Sequence, residues 1–364
     1  MQKTEEWNDW KWQMRNMLRT AEHFQNAFRI ENLPPSEELE SLASNFPIGI
    51  TPYYASLMKE FTPNDPIFRM QSPHGDELME YPHLSDDPFD EIDYSPLPGL
   101  VRRYKDRALI VTTGICACYC RYCTRKRVAG KDGMIKDEAL GKIVVYLRSK
   151  PEIREVLLSG GDPLTLETSQ LEKIILAVKK AENIEIIRIG TKVPVSLPMR
   201  VDDELVAMLK KHRPVWISTH FNHPNEVTDE SRNACDKLVS SGIPLNNQAV
   251  LLKGVNDAPE IIERLFRQLI QMSVRPYYLF QSDLIRGAEH FRTPLQTGLD
   301  IMEYLRANLT GIAVPQFVID TPKGKGKVPV LPEYIVKRSS HETLLRNSNG
   351  EIISYPEPLG VLAY

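Results

Sequence analysis

The chain has 364 residues, 42% of them hydrophobic and 26% charged, with a net charge of −3 at neutral pH. That length accommodates one large α/β domain with additions or two smaller ones, and the composition excludes wholesale disorder and fibrous repeats. The slight negative charge argues against neutralising nucleic-acid phosphates, no stretch approaches the ~18–20 apolar residues that span a bilayer, and the N-terminus lacks a signal-peptide core, so a soluble cytoplasmic protein without nucleic-acid or membrane partners is expected.

Residues 1–61 read as an N-terminal helical region. Trp7, Trp10, Phe24, Phe28 and Ile30 mix with charges at roughly helical spacing, as in an amphipathic packing helix, and Pro34 and Pro35 end it. Residues 62–99 hold seven prolines and many acids. This composition reads as an extended segment wrapped over a surface, or as a linker. From residue 107 short apolar runs alternate with helical-period segments. The runs cover 108–113, 155–162, 185–190, 215–221, 245–252 and 275–280, with helices expected near 136–149, 169–181, 203–212, 229–241, 258–272 and 296–308. Strand–helix alternation with near-continuous apolar strands implies a parallel sheet. Six units are too few for a closed eight-stranded barrel and suit a partial (β/α)6 barrel of the TIM type, its site at the carboxyl ends of the strands. The core is bounded at 100–310. A C-terminal segment, 311–364, adds the apolar run 313–320, a loop dense in Gly, Pro and Lys, and short extended pieces.

Four of the five cysteines, Cys116, Cys118, Cys120 and Cys123, lie within eight residues, directly after the first strand of the core. A secreted disulfide framework would spread its cysteines, so the clustering suggests metal or redox chemistry. Cys116, Cys120 and Cys123 can ligate three irons of a 4Fe–4S cluster and leave the fourth iron open. A structural zinc site would need a second ligand pair, and only Cys235 remains for it.

The text CACYCRYCTRKR resembles the cluster loop of radical S-adenosylmethionine (SAM) enzymes. Its flanks are similar to the lysine 2,3-aminomutase family from about residue 70 to 357, through SPHGDELMEYPH, PGLVRRYKDR, VLLSGGDPL, PVWISTHFNHPNE, RPYYLFQSD, EHFRTP and FVIDTPKGKGKVPV. The resemblance implies a radical-SAM barrel with a C-terminal segment carrying a lysine for pyridoxal 5′-phosphate (PLP). It implies a 4Fe–4S cluster on Cys116, Cys120 and Cys123, with Cys118 a bystander. SAM would lie against Ser159, Gly160, Gly161, Asp162, His220 and Gln248. The SGGD turn could equally be a simple tight turn, and a strand-end histidine a structural hydrogen-bonder.

Lys327 matches the lysine that forms the Schiff base with PLP, and Arg103, Tyr104 and Arg107 match its phosphate-binding region. Lys323 and Lys325 depart from the family's glycines and leave open which amine reacts. Arg125 matches the arginine for the substrate carboxylate, and Asp283 and Asp320 the aspartates for the distal ammonium of lysine. Two acids in a partly desolvated pocket favour a cation. The implied reaction is interconversion of L-lysine and β-lysine by 1,2-amino migration, started by hydrogen abstraction by a SAM-derived radical. A reduced flavodoxin- or ferredoxin-type electron donor and a homo-oligomer come with it. The family's cysteine-rich zinc tail has no counterpart after Cys235. The alternatives are a 2,3-aminomutase for glutamate, arginine or ornithine, a relative that modifies a lysine for elongation factor P, and a non-catalytic iron–sulfur protein.

Overall fold

The computed structural model of the chain describes residues 5–20, 22–23, 42–131, 133–347 and 349–358. Phe24, Phe28, Ile30, Pro34 and Pro35, on which the N-terminal packing helix was expected, lie outside them. Near the start, Asp9 caps a short helix, Trp10–Arg15, by accepting from the backbone N–H of Lys11, and Trp7 is buried beside it.

The core is one nine-stranded sheet in sequence order. Strand β1 (Leu100–Val101) pairs antiparallel with β2 (Arg107–Thr113). Strands β3 (Glu155–Gly160), β4 (Ile186–Gly190), β5 (Val215–Thr219), β6 (Leu245–Leu251), β7 (Val274–Gln281) and β8 (Gln316–Asp320) continue from β2 in parallel. Strand β9 (Lys327–Pro329) turns back antiparallel on β8. Six helices cross between the parallel strands: Asp137–Arg148, Thr168–Lys179, Asp203–Lys211, Asp229–Ser240, Pro259–Gln271 and Leu295–Asn308. These are the six expected (β/α) units, and the run at 313–320 supplies a seventh parallel strand.

The strands are not buried alike on both faces. Val156, Leu158, Ile187, Ile189, Ala249, Leu251 and Leu279 pack outward in the core, whereas Glu155, Leu157, Arg188, Gln248, Tyr278 and Phe280 line a central cavity. This period of two follows from the pleat. The inward face can hold charges because it meets a ligand space rather than apolar packing. Outside, each helix offers one apolar stripe to the sheet: Ile262, Leu265, Phe266 and Leu269 on Pro259–Gln271 are fully buried at spacings of three and four. Side chains start the helices, Asp202 accepting from Leu205 N–H at 2.8 Å and Thr228 from Ser231 N–H at 3.1 Å.

The Pro- and acid-rich segment is a strap pinned to the barrel. Within it Asp65 caps the helix Pro66–Gln71, which buries Ile67, Phe68 and Met70. Ser85 forms a parallel bridge with Ile285 in the loop after β7. Beyond β9, strands β10 (Ile335–Arg338), β11 (Glu342–Arg346) and β12 (Ile352–Pro356) form a separate antiparallel sheet whose Ile335, Val336, Ile352, Ile353 and Tyr355 are exposed.

Candidate active site

A cavity of about 510 Å³ runs inside the open barrel, and every residue matched to the cluster, SAM, PLP or the substrate lines it, whereas Lys323, Lys325 and Cys235 do not. Cys116, Cys120 and Cys123 come from the loop after β2. Ser159, Gly160, Gly161 and Asp162 come from the end of β3 and the turn after it, His220 directly follows β5, and Gln248 lies within β6. Arg103, Tyr104 and Arg107 flank the start of β2. Arg125, Asp283, Asp320 and Lys327 complete the wall.

The cysteine loop is shaped by backbone hydrogen bonds from both sides. Gly49 O accepts from Tyr119 N–H at 2.8 Å, and Thr51 N–H donates to Ala117 O at 3.1 Å. Across it, Gly161 N–H donates to Thr113 O and Asp162 N–H to Ile115 O at 2.7 Å. A Cβ on Gly160 or Gly161 would lie 2.5 Å from Thr113 O or 2.4 Å from Ile115 O, so only glycine lets the end of β3 brace the loop. Burial pushes the Cys123 thiol up to about 11 and Cys116 well above its ordinary value, while a hydrogen bond with Cys118 leads the causes that draw Cys120 down to about 6. Cys118 is 4% exposed, its sulfur 3.8 Å from that of Cys120. Among the described residues no three His, Cys, Asp or Glu side chains converge as a single-ion site. All four cysteines of the loop, Cys118 included, line the cavity, and a set of thiols from one short loop facing one cavity fits an iron–sulfur cluster in kind.

Beside the loop, the Asp162 carboxylate accepts from Thr191 Oγ1 at 2.6 Å, Lys192 N–H at 2.7 Å and Leu164 N–H at 3.1 Å, which ties the ends of β3 and β4 together. His220 stacks on Tyr122 with centroids 6.0 Å apart. Burial first, then the Lys192 charge, drops its pKa to about 3, so its ring is neutral. Lys192 is a residue that sequence reasoning passed over. Its Nζ donates to Glu226 at 2.7 Å and to His220 O at 2.9 Å inside the wall, and Glu226 also accepts from Tyr54 Oη and from the N–H groups of Asn222 and His223.

At the far end Lys327 Nζ donates to Asp320 Oδ2 at 2.7 Å, and Arg103 donates to Asp320 Oδ1 at 2.6 Å. The Arg107 guanidinium lies 3.8 Å over the Tyr104 ring. Arg103 Nε, Tyr104 Oη, Ser218 Oγ and Asp283 Oδ1 are buried with no hydrogen-bond partner among the described residues. Unpartnered buried polar atoms around a cavity point to a polar ligand, and this set of arginines, a phenol and a lysine suits PLP, a phosphorylated aldehyde. Between the two ends, Arg125 donates to Glu91 through Nε (3.3 Å) and Nη2 (2.8 Å) and to Ser159 Oγ through Nη1 (3.0 Å). Glu91, from the strap, is the second residue the sequence did not announce; the acid density of the strap was its only signal.

The family model for lysine-2,3-aminomutase matches residues 302–362, and that of the radical SAM superfamily matches residues 110–265. The chain is 45% identical over 357 residues to L-lysine 2,3-aminomutase of Acetoanaerobium sticklandii, covering 97% of this chain and 86% of that protein. It is also 45% identical over 358 residues to L-lysine 2,3-aminomutase of Clostridium subterminale, covering 97% and 85%. Glutamate 2,3-aminomutase of Clostridioides difficile is 40% identical over 350 residues, covering 96% and 82%.

Proposed function

The chain belongs to the lysine 2,3-aminomutase family of the radical SAM superfamily, and from that premise we propose that it interconverts L-lysine and β-lysine by moving the amino group between Cα and Cβ. When bound, the cluster and SAM supply a carbon-centred radical for hydrogen abstraction, and PLP supplies a conjugated ring that stabilises an unpaired electron during nitrogen migration. In this reading Cys116, Cys120 and Cys123 hold the cluster. Ser159, Gly160, Gly161, Asp162, His220 and Gln248 hold SAM, and Arg103, Tyr104 and Arg107 hold the PLP phosphate. Lys327 is the lysine that carries PLP.

The observation that carries lysine as substrate is the acidic end of the cavity. Asp320 already holds one ammonium, that of Lys327, at 2.7 Å, and Asp283 beside it keeps an oxygen without a partner. Two acids there bind a substrate side-chain cation and repel a side-chain carboxylate. Arg125 binds the α-carboxylate, and the two ends together fix the reacting carbons between them. Neutral His220 places no second positive charge near Lys192 and the cysteine loop. The enclosing strands and strap exclude bulk water from the reacting centre.

Glutamate is the second reading, motivated by the glutamate-specific relative, and the Asp283–Asp320 pair stands against it. A reduced flavodoxin- or ferredoxin-type protein is the expected electron donor, and a homo-oligomer in the cytoplasm the expected state. The exposed apolar residues of β10–β12 favour self-association. The test is anaerobic reconstitution with iron, sulfide, SAM, PLP and a reductant, followed by chiral separation of the products from lysine, ornithine, arginine and glutamate. β-Lysine from lysine is the expected outcome. Conversion of glutamate with none of lysine would overturn the substrate assignment, and failure to cleave SAM would overturn the reaction class.

A further inference from the structure

We propose that Glu91 is a positioning residue for substrate recognition: it mounts Arg125 so that the guanidinium presents its uncommitted N–H groups to the substrate α-carboxylate, and it ties that mount to the loops at the ammonium end. This deepens the functional reading above and rests on it.

Glu91 is 5% exposed, and both of its oxygens face Arg125 along the Nε–Nη2 edge. Ser159 Oγ takes one N–H of Nη1. Of the five N–H groups of a guanidinium, one on Nη1 and one on Nη2 are left over, a pair that suits a carboxylate. Burial opposes ionisation of Glu91, but Arg125 and then Arg127 and Arg103 outweigh it and hold the carboxyl below its ordinary range. Arg103 is also held by Asp320 at 2.6 Å and Arg127 by Asp87 at 3.7 Å, so Glu91 serves chiefly to fix Arg125, and an incoming carboxylate meets Arg125 through its remaining N–H groups.

The mount is itself anchored. Asp87 accepts from Glu91 N–H at 2.9 Å and Ile92 N–H at 3.0 Å. Ser85 bridges to Ile285, two residues beyond Asp283. Pro88 O accepts from Lys323 N–H at 2.9 Å, in the loop that ends at Lys327. A Cβ on Gly324 would sit 2.5 Å from Phe89 O, so strap and lysine loop touch with no room between them. The strap thus connects Arg125, in the middle of the cavity, to the Asp283 and Lys327 end, and it sets the span that a substrate must bridge between carboxylate and side-chain cation.

The full chain and its Glu91→Gln and Glu91→Asp variants, each loaded with cluster, SAM and PLP, are compared on L-lysine and L-lysinamide, which lacks the carboxylate. Melting temperatures are recorded in parallel. Glu91→Gln is expected to raise KM for lysine about 10–100-fold, with the loss on KM exceeding that on kcat. The preference for lysine over lysinamide should shrink by a similar factor, and Glu91→Asp should recover part of it. An unchanged preference, with or without a lower melting temperature, would reduce Glu91 to a packing residue. Tighter lysine binding in Glu91→Gln would make Glu91 a competitor of the substrate and overturn the proposal. If the parent chain turned over no lysine, the functional reading would fall instead, and calorimetric titration of the three chains with the acid and the amide would still read the role of Glu91.

Discussion

Burial and the neighbouring Asp320 push the Asp283 carboxyl up to about 8, while Lys327 and Arg103 pull it back. Asp320, with Lys327 and Arg103 in direct contact, moves the other way despite its burial. The unfolded chain ionises an aspartate near ~3.9, so between that value and about 8 the folded chain binds more protons at Asp283, and its stability falls as pH rises. A substrate cation requires Asp283 ionised and therefore displaces that proton. The KM for lysine is expected to fall as pH rises toward about 8, approaching tenfold per pH unit well below it. Asp283→Asn should flatten that profile, weaken lysine binding, and raise the melting temperature of the substrate-free chain by about 2 °C or more near neutral pH. A pH profile of kcat/KM and a thermal melt check both, and an identical profile in the variant would remove Asp283 from cation binding.

Among the elements, the ends of β3, β4 and β5 hold the site through buried polar ties rather than apolar contact. Lys192 and Glu226 form the ion pair among these, both nearly solvent-free and 2.7 Å apart. Their mutual attraction and the surrounding donors compensate a desolvation that neither could sustain alone. Lys192→Met should therefore cost about 3–5 kcal/mol, because it leaves the Glu226 carboxylate buried among its remaining donors. Urea unfolding reads that loss as a lower midpoint. The double change Lys192→Met with Glu226→Gln should recover part of it, since no unpaired charge is left, and a double variant no more stable than the single one would show that the pair does not act as a unit.

For the whole molecule, the boundary expected at residue 310 falls just before two strands that the sheet uses. Strand β8 pairs with β7 and places Phe317 in the core, where a Cβ on Gly298 of the last crossover helix would lie only 2.1 Å from the Phe317 ring. Strand β9 then brings Lys327 back to Asp320. A chain ending at residue 310 would expose the edge of β7 and open a cavity beneath the helix Leu295–Asn308. It is expected to aggregate, whereas the intact chain stays in solution, as size-exclusion chromatography with circular dichroism would report. A soluble, cooperatively melting 1–310 fragment would show the C-terminal strands to be dispensable for folding.

What was legible in the sequence is what local spacing encodes. Short apolar runs and the period-3.6 segments between them predicted the parallel strands and crossover helices to within a few residues, because each element's burial is written along its own stretch of chain; the alternation of each strand between core and cavity was seen only in the fold. The cysteine spacing, the SGGD turn and the lysine loop were legible for the same reason, each being a short run whose chemistry is carried by neighbours in the chain. Strands of two or three residues, β1 and β9, were not, since too few side chains alternate to make a pattern. The partners of the site residues were not legible either. Glu91 meets Arg125 across 34 residues, Lys192 meets Glu226 across another 34, and Arg103 meets Asp320 across 217. An ion pair leaves no periodicity in the chain, so only the closing of the barrel and the path of the strap could decide which charges face one another.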